Sequence, residues 1–200
     1  MSFNCVNTPL IPNPTGIDVV IQSIQSDLGS LAWLQYSFGK TYIKKEVRDN
    51  TVYTIPSVWI GNNEFQSVEP NDTVKAFSFI ENFETENIED WEVRRYDHIS
   101  RTNLSIVVFA NLERIDNTRD YIYTEELKED VLRILSNNQY VENVFSINKG
   151  LDEAYVRWSI ESIKPTYYAE KYSAFRIDIS AIINSACYTN DNDKYNINLC

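Results

Sequence analysis

Residues 103–115 read NLSIVVFANLERI, a nearly continuous apolar run, and such a run fits no strand with one face in water. It predicts a central strand buried on both faces. After it, YTEELKEDVLRIL puts Leu127, Val131, Ile134 and Leu135 on one helical face, with Thr124 as N-cap. Glu125 and Glu126 fall in its first turn, where the positive end of the helix dipole favours them. This helix is expected to pack on the strand.

A stronger helix is predicted from Ile17, because Val20, Ile21, Ile24, Leu28, Leu31 and Leu34 continue the three- and four-residue spacing. Thr15 and Asp18 suit its start and Gly39 its end, and a helix running to Phe38 is ~33 Å long. KTYIKKEVRDN and TVYTIPSVWIG are two β-rich runs around Asp49 and Asn50, residues that tolerate tight-turn geometry, so they predict a hairpin. Pro56 has no N–H to give to a ladder, so that side is expected to face solvent or a bulge.

GNNEFQSVEPND reads as a loop and VKAFSFIENF as a strand. VENVFSIN, DEAYVRWSIESI and SAFRIDISAII are three more candidate strands, the last alternating Phe175, Ile177 and Ile179 against Arg176, Asp178 and Ser180. The expected fold class is α+β: a largely antiparallel or mixed sheet with two main helices packed on one face. Residues 1–16, with Pro9, Pro12 and Pro14, are expected to form an extended arm, 17–185 a single domain and 186–200 a polar tail.

The chemistry available is narrow. Nucleophilic catalysis usually needs a base beside the nucleophile, and the chain has one histidine, His98, read here as a surface residue in the basic turn RRYDHISR. GxSxG, HExxH, GxGxxG and P-loop motifs are absent, and five glycines leave little for a phosphate cradle. Carboxylates one turn apart, Glu125 with Glu129 and Glu126 with Asp130, lie off the apolar stripe and read as a solvated helix face rather than a general acid. A carboxylate enzyme using a metal stays the remote reading. Neither a catalytic residue, a cofactor nor a metal site is assigned.

Cys5, Cys187 and Cys200 are scattered and odd in number, which suggests reduced thiols rather than a zinc site or a disulfide framework. A net charge of −11 argues against sequence-specific nucleic-acid binding, because such a surface repels phosphate. No apolar stretch is long enough to span a membrane and no standard export signal opens the chain, so a soluble protein is expected.

What remains is binding. Thirteen Tyr, nine Phe and four Trp supply contact area at low rotamer cost, although core packing explains many of them equally well. The candidate interface residues are Phe83, Ile88 and Trp91, set among the carboxylates of residues 81–92, and Tyr167, Tyr168 and Tyr172. The bland reading of residues 81–92 is a solvated excursion between strands.

The helix from Ile17, the NLSIVVFANLERI strand, the YTEELKEDVLRIL helix and the SAFRIDISAII strand, taken in order, resemble the tail-terminator and tail-completion proteins of tailed bacteriophages. The likeness is architectural, without a diagnostic motif, so no site residue carries over. It implies a virion structural protein with no enzymatic activity, made in the host cytoplasm and placed at the neck or tail. Its copies would form a ring, six- or twelve-fold, beside portal, connector and tail proteins, with DNA passing through an acidic lumen. The different-class alternative is a small cytoplasmic binding or regulatory protein with an aromatic interaction surface.

Overall fold

The computed structural model describes residues 8–82, 86–92, 97–159, 163 and 165–184. In chain order the elements are α1 (Ile17–Leu28), β1 (Tyr36–Arg48), β2 (Thr51–Gly61), β3 (Glu64–Ser67), β4 (Ala76–Glu81) and β5 (Asn87–Glu92). There follow β6 (Asp97–Asn111), α2 (Leu112–Ile115), α3 (Thr124–Asn137), β7 (Val141–Lys149), α4 (Leu151–Ala154) and β8 (Tyr172–Asn184). A 3-10 turn, Pro165–Tyr168, precedes β8.

The strands form one mixed sheet in the order β3-β2-β1-β4-β6-β8-β7, and β5 lies on β6 end to end with β4. Among the described strands β1 and β4 run parallel, and the other pairs are antiparallel. The fold is therefore α+β, as its pattern predicts. The 15-residue strand β6 is the axis, paired along one side to β8 and along the other first to β5 and then to β4.

Alternation along β6 divides the core in two. Leu104, Ile106, Val108 and Ala110 face α1 and α3 together with Phe175, Ile177, Ile179, Ala181 and Ile183 of β8. Val107 and Phe109 face the other way, into a cluster with Phe77, Phe79, Leu151, Tyr155, Trp158 and Tyr167. Two-sided burial of residues 103–111 is thus what the apolar run encodes, although the strand expected to reach Ile115 ends at Asn111, where α2 begins: helices cover one face, and the segment around α4 and the 3-10 turn covers the other.

Several expectations are corrected. Helix α1 stops at Leu28, so it is ~18 Å long. The stripe outlasts the helix because Leu31 and Leu34 stay buried through turns, with Leu31 N bonded to Leu28 O and Leu34 N to Leu31 O at 3.0 and 3.1 Å. Gly39 is a strand residue whose missing side chain makes room for Gln25, since a Cβ there would lie 2.7 Å from Gln25 Oε1.

The GNNEFQS stretch is a second tight hairpin rather than a loop. Asn62 and Asn63 both take positive φ, 50° and 61°, as Asp49 and Asn50 do in the β1–β2 turn at 50° and 64°. Two left-handed central residues match the twist of two antiparallel strands, and Asn tolerates them. Pro56 stands where β3 ends: Val68 N donates to Pro56 O at 2.8 Å, and proline has no N–H to return the bond.

DEAYVRWSI forms the turn of α4 and a further buried turn, and no strand occurs among its described residues. Ala154, Tyr155 and Trp158 fall at three- and four-residue spacing, a helical period that an alternating reading mistakes for a strand. The acidic segment contains a strand, β5, and His98 lies in β6 opposite Trp91 rather than in a turn. Thr124 is the first residue of α3 rather than its cap, the N-cap position being Tyr123.

Of the expected arm, residues 8–16 are described and are tied to the body. Thr8 is buried, its hydroxyl donates to Ser37 O, and it accepts Gln25 Nε2 at 2.6 Å. Gln22 Nε2 donates to Ile11 O at 2.7 Å. The tail from 186 lies outside the described residues, as do the three cysteines.

Candidate functional site

Strand β1 changes partners halfway along. Tyr36 to Lys40 pair with β4, and Thr41 to Arg48 pair only with β2 among the described residues. Strand β4 ends at Glu81, level with this switch, and β6 then takes β5 as its neighbour. No ladder joins β1 to β5 among the described residues, so the sheet forks at Thr41 and Glu81. Because β1, β4 and β5 run in one direction, both branches leave the same end of the sheet. The β1–β2 branch is a two-stranded ribbon of eight facing pairs, ~26 Å long.

Residues 157–159 fill the crotch. Ser159 N donates to Thr54 O at 2.9 Å and Ser159 Oγ accepts Thr54 N at 2.8 Å, which fixes the edge of β2. Trp158 Nε1 donates to Glu81 Oε1 at 2.5 Å, and Arg157 Nε lies 3.8 Å from Glu81 Oε2. Thr41 Oγ1 donates to Ile80 O at 3.1 Å on the β1 side. One short segment therefore bonds both to the ribbon and to the end of β4.

Glu81 anchors a buried polar group on this face. Arg176 Nη1 lies 3.6 Å from its Oε2, Arg176 Nε donates to Asp178 Oδ1 at 2.6 Å, and Arg176 Nη2 donates to Ser105 Oγ at 2.8 Å. Ser105 Oγ donates in turn to Asp178 Oδ1 at 2.6 Å, and Asn148 Nδ2 reaches Asp178 Oδ2 at 3.2 Å. Burial raises the Glu81 carboxyl above its usual range, and the Trp158 bond and the guanidinium groups of Arg176 and Arg157 only partly oppose this. The Tyr155 phenol is buried without a hydrogen-bond partner among the described residues, and burial with Glu81 nearby pushes it well above its usual value.

Two carboxylates against two guanidinium groups leave this cluster near neutrality, and the Ser105 hydroxyl within it is held between Arg176 Nη2 and Asp178 Oδ1. It is built to hold the fork. The alternation of SAFRIDISAII hides it: Arg176 and Asp178 occupy the expected polar positions, yet α4 and its neighbours cover that face as well. The charged residues of the alternating polar set are therefore inside, as a matched set.

The exposed surface is more distinctive. On one face of the ribbon Val47 and Val52 stand directly opposite each other, 71% and 59% exposed, and Ile43 continues the stripe at 58%. Lys45 lies between Ile43 and Val47 on that face, exposed and without an ion pair among the described residues. The other ribbon face is held to the body by Arg48, which bonds to Glu46 and Glu69 at 2.8 and 3.1 Å.

At the far edge of the sheet β7 pairs with β8 alone among the described strands, and Phe145 and Ile147 on it are 53% and 37% exposed. Register shifts between Val141 and Asn143 and between Val144 and Ser146 make two bulges there, a feature that twists an edge away from simple ladder growth.

Of the residues singled out from sequence, Phe83 lies outside the described residues, and Ile88 and Trp91 are placed by backbone alone, opposite Ser100 and His98. Tyr167 is buried, edge-on to Phe109 at 5.9 Å and to Tyr172 at 5.1 Å, and the Tyr172 ring stacks on Phe109 at 5.8 Å. Tyr168 is 50% exposed and its hydroxyl donates to Asp152. The structure brings the three tyrosines to one region but spends two of them largely on the core.

The α3 carboxylates are paired, Asp130 half-buried and the glutamates exposed. Glu125 bonds to Lys128 and Lys149, Glu126 to Arg119 at 2.5 Å, and Asp130 to Arg133 and, at 3.0 Å, to Trp33 Nε1. No group of three or more His, Cys, Asp or Glu is placed to hold a metal among the described residues, and no described helix is long and apolar enough to cross a membrane. No protein-family model matches the sequence, and no curated protein matches it.

Proposed function

We propose that this chain is an assembly subunit, one copy of a ring in the head-to-tail connector or tail-completion complex of a phage particle through which DNA passes. The ribbon is the observation that carries the assembly part of this reading. A two-stranded hairpin is marginal in water on its own, and this one places Ile43, Val47 and Val52 in solvent along one face. Clustered exposed apolar side chains of this kind mark a contact surface. A neighbour that covers them removes the cost.

The phage part rests on the resemblance in element order, which the α+β sheet with α1 and α3 on one face supports. The charge of −11 suits a channel wall to which DNA does not adhere. The alternative of a binding protein with an aromatic surface draws less support, because Tyr167 and Tyr172 are engaged with Phe109 and leave Tyr168 as the exposed member.

Light scattering over a concentration series, with negative-stain imaging of the large species, tests the proposal. Closed rings of one size are expected. A strict monomer at every concentration, both alone and mixed with portal and tail proteins, would overturn it.

A further inference from the structure

We infer that the β1–β2 ribbon of one copy docks, by its Ile43, Val47 and Val52 face, on the β7 edge of a second copy, against Phe145 and Ile147. The inference rests on the assembly reading and specifies the two surfaces that meet. Their placement is the first argument. The ribbon lies toward one side of the strand order and β7 closes the other, so each copy carries a projecting apolar stripe at one side and an exposed apolar edge at the opposite side. Two different patches on opposite sides make a heterologous, head-to-tail contact, which a rotation closes into a ring.

Charge supplies the second argument. Lys45 sits inside the ribbon stripe without an acidic partner among the described residues. An isologous ribbon-to-ribbon contact brings two such lysines into one apolar patch with no acid in it, and like charges there are unfavourable. The β7 side is different: Glu142 of β7 and Glu129 of α3, 39% and 68% exposed, are each already paired within their own copy, with Arg101 at 2.6 Å and Lys128 at 3.4 Å. The head-to-tail contact thus sets one Lys45, rather than two, against a surface whose charges are balanced.

The bulges in β7 decide the kind of contact. They break the regular spacing of the edge N–H and C=O groups, and a bulge sets Phe145 apart from the β7–β8 ladder. Side-chain packing therefore joins the copies, rather than a ladder extended from one sheet into the next.

Complementation between two single variants tests this. Val47→Asp disables the ribbon and leaves β7 intact; Phe145→Asp disables β7 and leaves the ribbon intact. Both positions are more than half exposed, so both variants are expected to stay folded by circular dichroism, and Val52→Asp and Ile147→Asp replace either one that does not. Each variant alone is expected to run as a monomer in light scattering. An equimolar mixture restores one intact contact per pair, and its mass is expected to double and go no further.

If Phe145→Asp alone still assembles, or Val47→Asp alone does, the surfaces are different ones: this inference fails and the assembly reading stands. Two monomeric variants that do not combine on mixing would likewise overturn the head-to-tail pairing. A wild-type chain that is monomeric at every concentration, alone and with its neighbours, would overturn both readings together.

Discussion

Replacing Glu81 by glutamine removes a charge from a side chain that is 1% exposed while keeping an oxygen for the Trp158 indole. Burial raises this carboxyl above its usual value of 4.5, and Arg176 and Arg157, at 3.6 and 3.8 Å, do not fully offset that. The ionised form is thus the costly one at neutral pH. Glu81→Gln is expected to match the wild type or exceed it by about 1 kcal/mol, since a buried charge is replaced by a neutral group of the same shape.

Alanine at the same position is a different perturbation. It strips Trp158 Nε1 of its acceptor and opens a void beside Phe79 and Tyr155, so a loss of about 3–5 kcal/mol is expected. The pH dependence has a definite sign. A carboxyl raised in the folded state binds its proton more tightly there, so the stability Glu81 contributes is full below 4.5 and falls as pH rises through the raised value. The advantage of glutamine should be near zero below 4.5 and grow as pH rises through the raised value. Urea unfolding followed by circular dichroism across that range measures it. A loss of more than about 2 kcal/mol for Glu81→Gln at neutral pH would refute the reasoning, because the charge would then be net favourable where burial is argued to dominate.

Three further outcomes follow from other sites. Tyr155→Phe removes a buried hydroxyl that has no partner among the described residues, and a gain of about 1 kcal/mol in urea unfolding is expected. Gly39→Ala puts a Cβ 2.7 Å from Gln25 Oε1 and should cost about 1–3 kcal/mol, with residues 8–16 losing protection in hydrogen exchange as Gln25 releases Thr8. Lys128 and Lys149 hold the exposed Glu125 carboxyl at about 2. Its contribution is therefore present above 4.5 and lost as pH falls toward about 2, so the melting gap between wild type and Glu125→Gln should close over that range and shrink in about 1 M salt.

Elements whose side chains obey one period throughout are legible in the sequence. Helix α3 keeps Leu127, Val131 and Leu135 on one stripe from end to end, β8 alternates, and β6 is apolar on both faces. Misreadings occur where one pattern serves two conformations. Leu31 and Leu34 keep the period of α1 after its hydrogen bonds have ended, and the polar β3 carries no apolar signal beyond Phe65, although the Asn62–Asn63 pair marks its turn. The ribbon surface has no sequence signal at all. Ile43, Val47 and Val52 alternate as they would in a strand whose apolar side is buried, and only the point at which β1 leaves β4 puts that side in water.

The crotch of the fork also bears on the order in which the chain folds. Thr54 and Ser159, which meet there, are separated by 105 positions, and Ser105 and Asp178, which join the two long central strands, by 73. The two Asn- and Asp-turned hairpins close locally and fast, whereas these distant closures wait until nearly all of the chain has left the ribosome and carry a larger loop entropy. A nascent chain thus displays its ribbon before the residues that set the ribbon's direction exist. The stripe of Ile43, Val47 and Val52 is therefore in water before the body that aims it has formed.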